Sequence, residues 1–169
     1  FYELIRTGRR SEVIEGFAKV RELPLSRAEL AMFTDAVEQA RSELSVEAYQ
    51  IGLEHARAGR AGEAATALEQ ALKFSSDGAH APSAKLELAR MLRRLSRQKE
   101  AIPILSQLSE SSPNPEVTDD ATLLLAECLI DIQAYNDAKA TLRTFIRRFP
   151  KSPLINDARM ALADLNLKK

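Results

Sequence analysis

The small and apolar residues of this chain recur every 37 positions over its last two-thirds. Ile51, Leu88, Leu125 and Leu162 lie on one line of that grid, and Gly52, Ala89, Ala126 and Ala163 on the next. Ala64, Ala101 and Ala138 form a third line, and Leu68, Leu105 and Leu142 a fourth. Agreement at so many positions together marks a repeat array, whose units bury their apolar faces only by stacking on neighbours and so leave long surfaces open to partners. Spacing within each unit is helical and no run alternates as a strand does. The predicted fold class is therefore all-α, an α-solenoid of antiparallel helix pairs.

Gly, Pro and Ser clusters cut the grid where helical hairpins need turns: Gly59 with Gly62, Ser75–Gly78 and Pro82, Ser111–Pro115, then Pro150 and Pro153. The helices fall at 45–58 with 61–75, 82–94 with 98–110, 118–132 with 135–148, and a last unpaired one at 154–167. This gives repeat units at 45–81, 82–118 and 119–153, followed by a C-terminal capping helix at 154–169. Small residues at a constant offset, Gly52 with Ala64, Ala89 with Ala101 and Ala126 with Ala138, are expected to let the two helices of each hairpin approach closely. The final helix carries Arg159 and Asn166 where a following helix would pack, so the array is expected to end there.

Residues 1–44 leave the grid, because the counterparts of Ala64 and Ala71 would be Arg27 and Thr34. A helix over 11–22 and another from Arg27 to Glu43, opened by the capping-box pattern Ser26-Arg27-Ala28-Glu29, predict a degenerate helical hairpin or N-terminal cap. No Gly or Pro separates Leu44 from the first repeat, so one long helix over 27–58 is the alternative. The chain starts at Phe1 with neither methionine nor a charged-then-apolar leader, which reads as a trimmed start.

Charge and chemistry narrow the function classes. Twenty-four Lys and Arg balance 24 Asp and Glu, so no global field favours nucleic acid or an acidic membrane surface. The longest apolar stretch, near Leu123–Ala126, is far short of the ~20 residues a membrane span needs. Cys128 is the lone cysteine and His55 and His80 are the only histidines, so no metal-ligand spacing, no nucleophile with its base and no phosphate-cradling loop can be assembled. No catalytic, metal-ligating or cofactor-binding residue is expected, and the protein is read as non-enzymatic.

The grid resembles the tetratricopeptide repeat. Its first unit matches at Ile51, Gly52, Gly59, Ala64, Leu68 and Ala71, its second at Leu88, Ala89, Ala101, Leu105 and Pro113, and its third at Leu125, Ala126, Tyr135, Ala138, Leu142 and Pro150. The stretch Phe145–Pro153 with Ala158, Leu162 and Ala163 is similar to the longer repeats of bacterial cell-envelope proteins such as the Tol-Pal coordinating protein and outer-membrane assembly lipoproteins. That finer resemblance implies a periplasmic or cell-envelope setting. The family resemblance implies that the first helices line a concave groove, with Tyr49, Leu53 and Arg57, then Leu86, Arg90, Arg93 and Arg94, then Leu123, Glu127 and Asp131 facing it. An apolar patch (Tyr49, Leu53, Leu86, Leu123), a basic step and an acidic step would follow one another, with Arg90 and Arg94 facing Glu127 and Asp131. A second basic cluster, Arg143, Arg147, Arg148 and Lys151, ends a later helix. The implied function is a protein-interaction scaffold that holds a segment of a protein or peptide partner in the groove. The alternative is a structural or assembly subunit of a multiprotein complex, acting through terminal or convex faces.

Overall fold

A computed structural model describes residues 1–112 and 114–168; Pro113 and Lys169 lie outside them. Nine helices and no strand occur among the described residues. Three form the N-terminal part: α1 (Tyr2–Arg6), α2 (Arg10–Val20) and α3 (Arg27–Arg57). The rest are α4 (Ala61–Phe74), α5 (Ala81–Arg94), α6 (Gln98–Ser111), α7 (Pro115–Asp131), α8 (Tyr135–Arg148) and α9 (Ile155–Leu167). Each second helix, α4, α6 or α8, packs on its own first helix and on the first helix of the next unit, while α5 also touches α3 and α7 directly. The class is the all-α solenoid read from the grid.

The hairpin turns are one structure used three times. In each, a left-handed residue ends the first helix: Gly59 (φ 78°), Ser96 (φ 59°) and Gln133 (φ 63°), all at the same grid position. The N–H of the following residue donates to a carbonyl five residues back, Arg60 to His55 (2.9 Å), Arg97 to Leu92 (2.8 Å) and Ala134 to Leu129 (2.8 Å). This Schellman arrangement satisfies carbonyls that the helix end would otherwise leave unpaired.

Ala64, Ala101, Ala138, Leu68, Leu105 and Leu142 are fully buried in one continuous core that runs from α4 to α9 and takes in Phe145, Ala158 and Leu165. Gly52 is pressed closest: a Cβ there would lie 2.8 Å from Cγ of Leu68, while Ala64 offers only its carbonyl at 3.5 Å. The intimate contact of that hairpin is thus Gly52 with Leu68, not the Gly52–Ala64 pair that the spacing suggested. Ile51 departs from its line, being 43% exposed where Leu88 and Leu125 are buried. The reason lies in α2, whose first residue Arg10 reaches Glu43 and Glu47 and which covers the earlier part of α3 instead.

Residues 27–57 form one helix of 31 residues, so a division at residue 44 falls inside it. Ser26 opens it with the capping box: its Oγ accepts from the Glu29 N–H (3.2 Å), and its own N–H donates to the Glu29 carboxylate (3.0 Å). The N-terminal part of α3 packs on α2 through a small separate cluster, Val13, Val37 and Ala40 with Phe1, Leu4, Ile5, Ile14 and Phe17 around them. Phe1 and Tyr2 meet Phe33 edge-on at 4.7 and 4.9 Å. None of the described helices is long and apolar enough to cross a membrane.

Candidate functional site: the groove between the first helices

The grid places Leu53, Arg90 and Glu127 on one rung line across α3, α5 and α7, and Arg57, Arg94 and Asp131 on the next. A cavity of about 460 Å³ opens between α5 and α7, lined by Arg90, Arg93, Arg94, Leu124, Glu127 and Asp131. Five of these are residues expected from the sequence. Leu124 was missed; it is apolar where its grid counterparts, Gln50 and Glu87, are polar, and that difference was the signal available.

Ion pairing across the cavity differs from the expected pattern. Arg93, rather than Arg90 or Arg94, spans the two helices, donating from Nη1 to Glu127 (2.8 Å) and from Nε to Asp131 (2.7 Å). Glu127 and Asp131 stand one turn apart on α7, so a single planar guanidinium between them serves both, which a lysine could not do as well. Arg90 turns to Glu87 on its own helix and to Asp120 at 3.7 Å. Arg94 is exposed and makes no ion pair among the described residues. Within the cluster, the Arg93 hydrogen bond holds the Asp131 carboxyl below its usual value, while burial pushes Glu127 above its own, against the pull of Arg93. Burial likewise raises Asp120, opposed by Arg90.

The apolar half of the expected site is also corrected. Leu86 and Leu123 are 6% and 8% exposed and belong to the continuous core. Their places lie on the side where successive first helices meet, so their side chains are drawn into the array and are not presented to a ligand. Tyr49 is half-buried and packs on His80 with ring centroids 5.5 Å apart and the rings tilted by 35°. Leu53 remains half-exposed and Arg57 exposed.

His80 has a structural task that its loop position did not reveal. The buried Ser45 hydroxyl donates to the Ala71 carbonyl (2.6 Å), so the 2.7 Å contact with His80 Nε2 is one in which the imidazole donates. With its proton committed to a carbonyl and its neighbour acting as donor, Ser45 is not set up as a nucleophile with a base. The lone thiol of Cys128 is fully buried, and that burial pushes its pKa up to about 11, leaving almost no thiolate at neutral pH.

These elements define a helical-repeat scaffold, with first helices side by side and a groove between them. Sequence models of the tetratricopeptide repeat match residues 49–115 and 120–152. The chain carries tetratricopeptide repeats. The fold is similar to the C-terminal TPR-containing domain of a Plasmodium falciparum protein described as FK506-binding, with TM-score 0.63 and 17% identity over 78% of this chain and 91% of that one. It is also similar to YrrB, described as a TPR protein with an unusual peptide-binding site, with TM-score 0.61 and 19% identity over 90% of this chain and 72% of that one. Among proteins of curated function, none matches the sequence.

Proposed function

We propose that the protein is a non-enzymatic interaction scaffold that receives a protein or peptide segment along the line from Leu53 and Arg57 on α3, through the α5–α7 cavity, to Glu127 and Asp131. The observation that carries this reading is the cavity itself: Arg94 lines it, is exposed and makes no ion pair among the described residues. Arg57 occupies the counterpart of Arg94 one unit earlier and likewise makes no ion pair among the described residues. Two cations at one-unit spacing would orient an acidic stretch of the segment, and the half-exposed Leu53 would take an apolar side chain of it. Arg90 and Arg93, already engaged with carboxylates, serve to hold the wall.

A photo-crosslinking residue in place of Arg57 tests the reading in the source cells. An adduct should form with a discrete protein, and Arg94→Glu in the same chain should abolish it with helicity unchanged. An adduct formed instead from position 66 on α4 would move the binding surface to the opposite layer. A second reading, an assembly subunit acting through another face, rests on the basic ridge of α8. The likeness to cell-envelope repeats has no counterpart in the similar structures above, and neither reading uses it.

A further inference from the structure

The two basic clusters of the chain are in different electrostatic states. On α5 and at the turn after it, Arg90, Arg93 and Arg97 meet carboxylates and Arg94 alone makes no ion pair among the described residues. On α8, Lys139, Arg143 and Arg147 follow one another at four-residue steps, and Lys151 continues the series past the helix end. None of these four makes an ion pair among the described residues. Asp137 is the only acidic residue between 132 and 156.

Four-residue spacing stacks the three helical cations on one side, about 6 Å apart. Like charges at that spacing destabilise a helix. The helix dipole compensates only part of this: Arg147 lies in the last turn, where a cation is favoured, but Lys139 lies near the opposite end. Array building does not require the cations either. The same grid positions read Ala65, Glu69, Lys73 and Asp77 in the first unit, and Ile102, Ser106, Glu110 and Asn114 in the second. Beside the ridge runs a second four-residue row of Asn136, Ala140 and Thr144, all short side chains, with Ala140 exposed.

We propose that this face of α8 docks an acidic helix of a protein partner, one that carries carboxylates at four-residue intervals. The short row lets a helix lie close, and its carboxylates then meet Lys139, Arg143 and Arg147 turn for turn, each pair a charge-assisted hydrogen bond. The ridge is about 12 Å long from Lys139 to Arg147, and the chain has no net charge. It therefore lacks the broad positive field that a nucleic-acid backbone follows.

The probe is a synthetic helical peptide with Glu at every fourth position, titrated by fluorescence anisotropy at low and moderate salt against the full chain. Binding should weaken as salt rises, and a scrambled peptide of the same composition should bind about tenfold more weakly, as loss of a few exposed ion pairs implies. Arg143→Glu with Arg147→Glu should remove binding, whereas Arg94→Glu in the groove should leave it unchanged. Since Arg143 and Arg147 are exposed and make no ion pair among the described residues, the milder pair Arg143→Gln and Arg147→Gln should melt no lower than the parent and should also lose the peptide. Equal binding of the scrambled peptide, no binding at low salt, or tighter binding of a single-stranded oligonucleotide or of anionic vesicles would each overturn the proposal.

Discussion

The two halves of α3 pack by different means. From Ser45 onward the helix lies against α4 through Ser45, Ala48 and Gly52, small residues that bring Leu68 into contact with the backbone at Gly52. Before that point it meets α2 through Val37 and Ala40, with Phe1 and Phe17 partly exposed around them, while Phe33 packs edge-on against Phe1 and Tyr2. One half adjoins a core that continues through four further hairpin helices to α9; the other ends in a cluster of its own. Stability in a stacked array is carried by each unit and its interface with the next. The later half of α3 should therefore share the cooperativity of the array, while the earlier half depends on local contacts alone.

Truncating one buried residue in each region gives the largest expected effect. Leu105→Ala, in the middle of the continuous core, should cost 2–5 kcal/mol and lower the denaturation midpoint of the whole array. Val37→Ala removes two methyl groups from the N-terminal cluster and should cost about 1.5 kcal/mol. Its signature should be local, with faster hydrogen exchange in α1 and α2 and unchanged protection in α5–α8. Equal loss of protection throughout would make the N-terminal layer part of one cooperative unit and erase the contrast.

Gly52→Ala probes the boundary between the regions. In an exposed helix this change gains up to about 1 kcal/mol from propensity. Here the new Cβ would fall 2.8 Å from Leu68 Cγ, an atom held at the branch of a buried side chain, so overpacking at about 1–3 kcal/mol should win. Ala89 and Ala126 already carry a Cβ at the same grid position, which shows that the tight approach belongs to the first hairpin. A melting temperature equal to or above that of the parent would mean that α4 can shift outward at little cost.

The same contrast explains what could be read from the chain. The grid positions are legible because repeated packing demands the same residue type at each turn of the array: Ala101 and Ala138 are buried as their spacing implies. Hairpin ends were legible to within a few residues for the same reason, since each Schellman turn stops its helix at a fixed place. Residues outside the grid have no such internal control. The short α1, the aromatic contacts of Phe33 and the donor role of His80 toward Ser45 depend on partners distant in sequence, and no local period encodes them. In the groove, the right acidic and basic residues were found, but their pairing was not. Spacing places Arg90, Arg93 and Arg94 on neighbouring turns, and only the position of α7 determines that Arg93 lies between Glu127 and Asp131.

The smallest expected effect tests whether the three repeat turns are interchangeable, as the N-terminal hairpin is not. Gly59, Ser96 and Gln133 hold the same left-handed conformation at the same grid position. Only the first is a glycine. A side chain in that region costs roughly 1–2 kcal/mol through the clash of Cβ with the following carbonyl, while glycine gives back roughly 0.5–1 kcal/mol in unfolded-chain entropy. Gln133→Gly should therefore stabilise the protein by about 0.5 kcal/mol, the smaller of these differences, and Gly59→Gln should destabilise it by a similar amount. Both positions are exposed, so lost or new packing should not obscure the backbone term. Calorimetric melting of the two variants should show shifts of opposite sign and similar size. Shifts of the same sign would show that the turns differ in strain despite their shared dihedral angles and hydrogen bonds, and that the periodicity of the sequence extends to the core but not to the turns that connect it.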